Sequence, residues 1–397
     1  MFHQKSLETG ELAKMQTDVV VLQRKHLDQL LSQLQTVGYQ TVGPVVRDHA
    51  IVYDTIQSTA DLPIGIGDMQ EKGAYRLRSR DDASLFGYVV GPQSWKKYLF
   101  PPRQLLLKAE QNSSGLQITR PEQNVPKYAL IGVRGCELKA IQIQDRVFLE
   151  GPYSDDYYRE RREQIFILAV NCTEPGNTCF CVSMEAGPAA GPGYDLAITE
   201  MPETKDSPEP DYLARAGSAK GAALLKQCSP SPALPELLET EAELWSAAAA
   251  KMGRSLNAEQ ARAVLKSQYE SPHWQDVGER CLSCTNCTLV CPTCFCSGVQ
   301  EVTDLAGTSS ERWREWDSCF SLNFTLTAGR PIRQSPGARY RQWISHKLAF
   351  WQDQFDTSGC VGCGRCITWC PVGIDLTAEI EALNQLQTKA EENRNGN

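Results

Sequence analysis

The chain has no run of 18 consecutive apolar residues; its best apolar stretches, such as Ile165 to Val170, have the length of a strand, so no membrane-spanning helix is expected. Positive charge is not in excess either. Forty Lys and Arg stand against 48 Asp and Glu, a net charge of −8, and phosphate binding needs a basic face, so nucleic acid is excluded as the main partner. Met1 to Gln16 contain no apolar core of the secretory type, and the chain is expected in the cytoplasm. Nucleotide motifs are missing: Gly65-Ile66-Gly67 lacks the third glycine of a dinucleotide turn, and there is no phosphate-binding loop ending in Gly-Lys-Ser/Thr. Histidine is scarce. His3, His26, His49, His273 and His346 have no H-E-x-x-H or triad companions, so no nucleophile–base pair is legible.

What the chain does have is cysteine, 16 in 397 residues, with 11 of them between Cys281 and Cys370. A long chain with tight C-x-x-C spacings points to metal ligation before disulfides. Cys281, Cys284, Cys287 and Cys291 read C-x2-C-x2-C-x3-C before Pro292; Cys360, Cys363, Cys366 and Cys370 repeat the pattern before Pro371. This is the ferredoxin run, in which three close thiolates wrap one cubane and the fourth, beside proline, reaches the other. The expected assignment is one [4Fe–4S] cluster on Cys281, Cys284, Cys287 and Cys370, and a second on Cys360, Cys363, Cys366 and Cys291. Structural zinc instead prefers two C-x2-4-C pairs across a longer gap. Gly359, Gly362 and Gly364 interleave the second motif, where backbone curling round an inorganic core needs positive φ or close approach.

The fold class expected is an α/β N-terminal region followed by a mainly α-helical domain of two-[4Fe–4S] ferredoxin type. The division reads 1–215 for the α/β domain, 216–275 for a helical connector, 276–380 for the dicluster domain and 381–397 for a polar tail. Lys127–Val133 and Gln164–Val170 are apolar, β-branched runs of the kind buried on both faces, with a helix over Glu137–Phe148 and another strand at Asp195–Thr199. Glu200–Pro210 reads as an exposed linker and residues 211–280 as helical, broken at Ser229–Pro232. Cys360 follows Cys281 by 79 positions, too far for a small ferredoxin. Inside that insert, Tyr340, Trp343, Ile344, Lys347 and Trp351 recur at helical spacing and present an aromatic face expected to pack over the clusters.

Eight cysteines remain. Cys136 and Cys172 each follow a strand, where open α/β sheets build sites, and Cys179 and Cys181 come just after, so these four are expected to hold a third cluster. Cys294, Cys296 and Cys319 are rivals, since Cys294-Phe295-Cys296 echoes Cys179-Phe180-Cys181 and Trp316-Asp317-Ser318-Cys319 can approach it. Cys228 is read as a bystander. Arg365, inside the second motif, has two open readings: a cofactor-binding cation that raises its cluster's potential, or a surface salt bridge.

Nearly the whole chain, in order, resembles the β iron–sulfur subunit of cytosolic NADP-linked [NiFe] hydrogenases, the sulfhydrogenases, and more distantly the iron–sulfur component of anaerobic sulfite reductase. The matching segments are FPPRQLLL (Phe100–Leu107), GVRGCELKAI (Gly132–Ile141), NCTEPGNTCFCVSM (Asn171–Met184), GYDLAITE (Gly193–Glu200), CLSCTNCTLVCPTCFC (Cys281–Cys296), RWREWDSCF (Arg312–Phe320) and Arg339–Asp375. The resemblance implies a heterotetramer of [NiFe] large and small subunits, this chain and an FAD/NAD(P)-binding subunit. This chain would relay single electrons between small and flavin subunits and perform no bond chemistry itself; in the sulfite reductase setting the relay would feed a sirohaem subunit.

Overall fold

The computed structural model describes residues 19–89, 91–122, 125–203 and 209–395. Its centre is an eight-stranded sheet. Strands β2 (Gln40–Arg47), β8 (Tyr128–Arg134), β9 (Phe166–Val170) and β10 (Leu196–Glu200) run parallel to one another. Every residue of β9 and β10 is buried, as expected of strands covered on both faces. Burying side chains such as Phe166, Ile167 and Leu168 stabilises the sheet by about 1.5–3 kcal/mol each. Antiparallel strands close both edges: β3 (Ala50–Thr55) beside β2, and β11 (Tyr212–Ala216) beside β10, followed outward by β1 (Val20–Leu22) and β12 (Ser231–Pro232). A separate hairpin of β4 (Ile66–Glu71) and β5 (Ala74–Ser79) brings Tyr75 against Trp369, next to the last cysteine of the second motif.

Helix α1 (Arg24–Thr36) lays Leu27, Leu30, Leu31 and Leu34 on the sheet core at i, i+3, i+4 and i+7. Helix α2 (Gly135–Phe148) starts at the carboxyl end of β8 and is buried on two sides. Leu138 and Ile141 belong to the sheet core, Ala140 and Ile143 to a second core built mostly from the cysteine-rich half. That second core gathers Trp274, Phe320, Tyr340, Trp343, Ile344 and Trp351 from the C-terminal half with Phe180, Cys181 and Met184 from the N-terminal half.

Three expectations are corrected. Tyr212–Ala216 is not helical: its Leu and Ala are good helix formers, but pairing with β10 and β1 buries them as a strand. The insert between the motifs is not all helix, because β13 (Ser297–Thr303) and β14 (Ser309–Trp316) form a hairpin. It extends the hairpin of β6 (Arg103–Asn112) and β7 (Gly115–Thr119) into an antiparallel sheet, with Trp313 opposite Leu105 and Glu315 opposite Arg103. Glu200, assigned to an exposed linker, is instead the buried last residue of β10 and accepts from Leu85 N (2.6 Å) and Phe86 N (2.9 Å); residues 204–208 of that segment lie outside the described residues.

The aromatic helix is present as α3 (Pro336–Ser345), continued by a wider turn over His346–Phe350 and a last turn at Trp351–Phe355. Tyr340, Trp343, Ile344, Lys347 and Trp351 are all buried along it. The C-terminal stretch is a helix over Leu376–Asn395 that buries Ile380 and Leu383.

Candidate iron–sulfur centres

Both cysteine runs fold the same way. Each places left-handed residues two and four positions after its first cysteine: Ser283 (φ 51°) and Thr285 (φ 68°) in the first, Gly362 (φ 65°) and Gly364 (φ 72°) in the second. Each turns a backbone N–H onto that cysteine, Ser283 N to Cys281 Sγ and Gly362 N to Cys360 Sγ, both at 3.4 Å. Such N–H···S bonds are among the contacts that set cluster potentials. Only the second motif needs glycine. A Cβ at Gly362 would lie 2.5 Å from Phe180 O and one at Gly364 2.4 Å from Thr178 O, because the Thr178–Cys181 segment packs against this loop. Phe180 N donates to Gly362 O across that contact (2.8 Å). Gly359 is a close approach of another kind, since a Cβ there would meet the Trp351 ring at 2.4 Å.

Cys281, Cys284, Cys287 and Cys370 line one cavity together with Cys366, with Phe320, Tyr340 and Trp343 as walls. The Tyr340 hydroxyl and the Trp343 indole N–H are buried there without a partner, which suits an anionic acceptor in the space. Around the second motif, Cys366 lies within electrostatic reach of Cys360, Cys363 and Cys291, and of Cys287 in the first. Burial pushes the thiols of Cys287 and Cys366 well above the ordinary range and that of Cys360 up to about 12. Thiols this reluctant to ionise become thiolates when a metal centre binds them.

Cys136, in the first turn of α2, Cys172, just beyond β9, and Cys179 and Cys181 converge on a second cavity. Cys363, Arg365 and Arg134 line it too. The Arg134 side chain, 6% exposed, spends Nη2 on Phe86 O (2.6 Å) and Tyr88 O (2.9 Å), while its Nη1 has no partner. Among the described residues no three His, Cys, Asp or Glu side chains converge tightly enough for one metal ion. Thiolates spread around a cavity suit the larger body of a cubane.

Cys294, Cys296 and Cys319 do not line that cavity. They gather near Cys291 and two buried lysines. Lys96 Nζ donates to Cys294 O (3.1 Å) and lies 3.9 Å over the Trp316 ring; Lys347 Nζ donates to Thr293 Oγ1 (2.8 Å) and Gly359 O (3.0 Å). A hydrogen bond from Cys319 and the nearby lysines hold the Cys296 thiol down to about 7. Cys228 is buried in the sheet core near His26 O, away from the other thiols.

Arg365 is not at the surface. Its side chain is 4% exposed, and Nη2 meets Glu137 Oε1 at 2.6 Å, with Glu137 itself 1% exposed; the surface salt-bridge reading is therefore overturned. Glu137 also accepts from Tyr53 Oη (2.7 and 2.8 Å) and Trp95 Nε1 (3.1 Å), and Arg365 Nε donates to Gly91 O (3.2 Å). Sequence reasoning missed Glu137, Arg134 and Lys96, and read Lys347 only as part of the helical face. A charged residue directly following Cys136, and an arginine two before it, are the available signals for the first two.

Residues 280–374 match the family of the 4Fe-4S dicluster domain. Over 329 residues the chain is 32% identical to sulfhydrogenase 2 subunit beta of Pyrococcus furiosus, a match covering 80% of this chain and 92% of that protein. No helix among the described residues is long and apolar enough to cross a membrane. With two ferredoxin runs folded alike and a relative aligned along four-fifths of this chain, the chain belongs to the sulfhydrogenase β subunits, the iron–sulfur electron-transfer subunits of hydrogenases.

Proposed function

We propose that the chain relays single electrons between the small subunit of a [NiFe] hydrogenase and an FAD/NAD(P)-binding subunit, within a cytoplasmic heterotetramer that also contains the large subunit. The observation that carries this reading is the shared walls of the sites. Cys366 lines the cavity of the first motif and Cys363 the four-cysteine cavity, so the second motif stands between the other two and the three form one contiguous series. One end of that series meets solvent, since Cys284 is exposed beside Leu282 and Val372.

The ligand sets proposed are Cys281, Cys284, Cys287 and Cys370 for the first cluster, Cys360, Cys363, Cys366 and Cys291 for the second, and Cys136, Cys172, Cys179 and Cys181 for a third. Bound there, each cubane supplies one-electron redox chemistry. The chain's own residues fix the spacing, keep water from the inner sites and set the surrounding charge. Against Cys294, Cys296 and Cys319 as the third set stands the absence of a fourth thiol for them among the described residues, because Cys291 is taken by the second motif.

The test is isolation of the tagged chain without oxygen from its own host, with iron analysis and mass spectrometry of what accompanies it. A [NiFe] large subunit and a flavoprotein among what accompanies it, and about 12 irons on this chain once it is separated from them without oxygen, at four per cubane, are the expected result. A sirohaem protein in place of the hydrogenase subunits would move the chain to sulfite reduction.

A further inference from the structure

We propose that Arg134 tunes the four-cysteine site: its free Nη1 donates to the anionic group held by Cys136, Cys172, Cys179 and Cys181, and its charge holds that group at a raised potential. This rests on the third-cluster reading above and adds to it a residue, a contact and the direction in which the potential is shifted.

Arg134 ends β8 and leads into α2, so its backbone is fixed by the same turn that presents Cys136. Its guanidinium is buried against Phe86 and Tyr88, both ring centroids within 6 Å of its central carbon (5.9 and 5.7 Å), and its two hydrogen bonds go to neutral carbonyls. No carboxylate forms an ion pair with it among the described residues. The acidic groups within electrostatic reach are committed elsewhere. Glu137 faces Arg365, Tyr53 and Trp95; Asp68 accepts from Val89 N (2.5 Å) and Gln70 (2.8 Å); Glu200 accepts from Leu85 N, Phe86 N and Tyr212 Oη (3.3 Å). A guanidinium taken out of water without a counter-charge is strongly destabilising. Asp68 and Glu200 act on it only at a distance, and the four-cysteine cavity that Arg134 lines is where a close counter-charge can sit.

Arg134 and Arg365 both line this cavity, yet they differ. Arg365 is neutralised by Glu137 at 2.6 Å; Arg134 is not. A cluster gains one negative charge on reduction with no bond made or broken, so a cation beside it without an ion-pair partner favours the reduced form. The four-cysteine site is therefore held at a higher potential than its cysteines alone would give.

The experiment uses the intact complex prepared without oxygen, with Arg134→Met (charge removed, bulk kept) and Arg134→Lys (charge kept, fork lost). Iron and acid-labile sulfide are measured, and the clusters are titrated against potential by electron paramagnetic resonance. Expected in Arg134→Met are unchanged iron, one reduced-cluster signal shifted to lower midpoint potential and the others unmoved, with Arg134→Lys recovering part of the shift. Loss of one cluster's iron from Arg134→Met alone, with Arg134→Lys intact, is the same charge effect seen as occupancy and also supports the proposal. Unmoved midpoints with full iron in Arg134→Met overturn it, as does Arg134→Lys behaving like Arg134→Met. About eight irons on the wild-type chain, separated from its partners without oxygen, would remove the third cluster itself, an outcome read before any variant is made.

Discussion

The buried pair of Glu137 and Arg365 yields an asymmetry that can be measured. Replacing Arg365 by methionine leaves the Glu137 carboxylate buried, but still holding hydrogen bonds from Tyr53 and Trp95. Removing one partner of a buried ion pair costs about 3–5 kcal/mol, and those two donors place the change at the lower end. Replacing Glu137 by methionine strands more. It leaves the Arg365 guanidinium without its carboxylate and the Tyr53 hydroxyl and Trp95 indole N–H without an acceptor, each orphan adding about 1–3 kcal/mol. Both variants delete one charge, yet Glu137→Met is expected to be the worse by roughly 2 kcal/mol or more on the same bookkeeping. The double variant should be less destabilised than the two singles added together, because the charges vanish in pairs. Anaerobic urea unfolding of the iron-loaded chain, followed by intrinsic fluorescence, reads the order directly. Equal losses for the two single variants, or strict additivity in the double, would refute the reasoning that Glu137 is the hub and Arg365 one of its spokes.

Other outcomes follow from particular contacts. Gly364→Ala sets a Cβ at 2.4 Å from Thr178 O at φ 72° and is expected to lose iron from the second site, whereas Thr285→Gly, at the matching position of the first motif, should keep full iron; iron analysis of both variants decides. Lys347→Met removes a buried cation close to Cys291 and Cys360, so one midpoint potential should fall in a redox titration, and an unmoved set of midpoints counts against electrostatic tuning there. Cys179→Ser should lower iron by about four per chain while Cys296→Ser leaves it unchanged, the reverse pattern assigning the third cluster to the rival set. Cys228→Ser should leave iron unchanged and lower the unfolding midpoint slightly, since this thiol packs only in the sheet core.

The parts legible in the sequence are those encoded by local spacing. The ferredoxin runs announce themselves through cysteine intervals, and β8, β9 and β10 through continuous apolar stretches that only a doubly covered sheet accommodates. The aromatic helix shows through its 3.6-residue period. What stays hidden depends on partners distant in sequence. The hairpin of β13 and β14 is completed by β6, far earlier in the chain, so Arg312–Trp316 carries no sign of which strand it meets. Tyr212–Ala216 has the composition of a helix and becomes a strand because β10 offers an open edge. Arg365 is ambiguous in the sequence because its fate turns on Glu137, 228 residues away, and the glycines of the second motif are required by a loop at Thr178–Cys181 that no local pattern brings there.

The central claim is that electrons pass through this chain on their way between hydrogen and the flavin subunit. Its most direct test is freeze-quench electron paramagnetic resonance of the intact complex exposed to hydrogen and then to oxidised nicotinamide cofactor. The clusters of this chain are predicted to become reduced under hydrogen and to reoxidise when the acceptor is added, with the reduced cofactor appearing in step. Clusters that stay oxidised while the cofactor is reduced would contradict the relay, because electrons would then be travelling by another route.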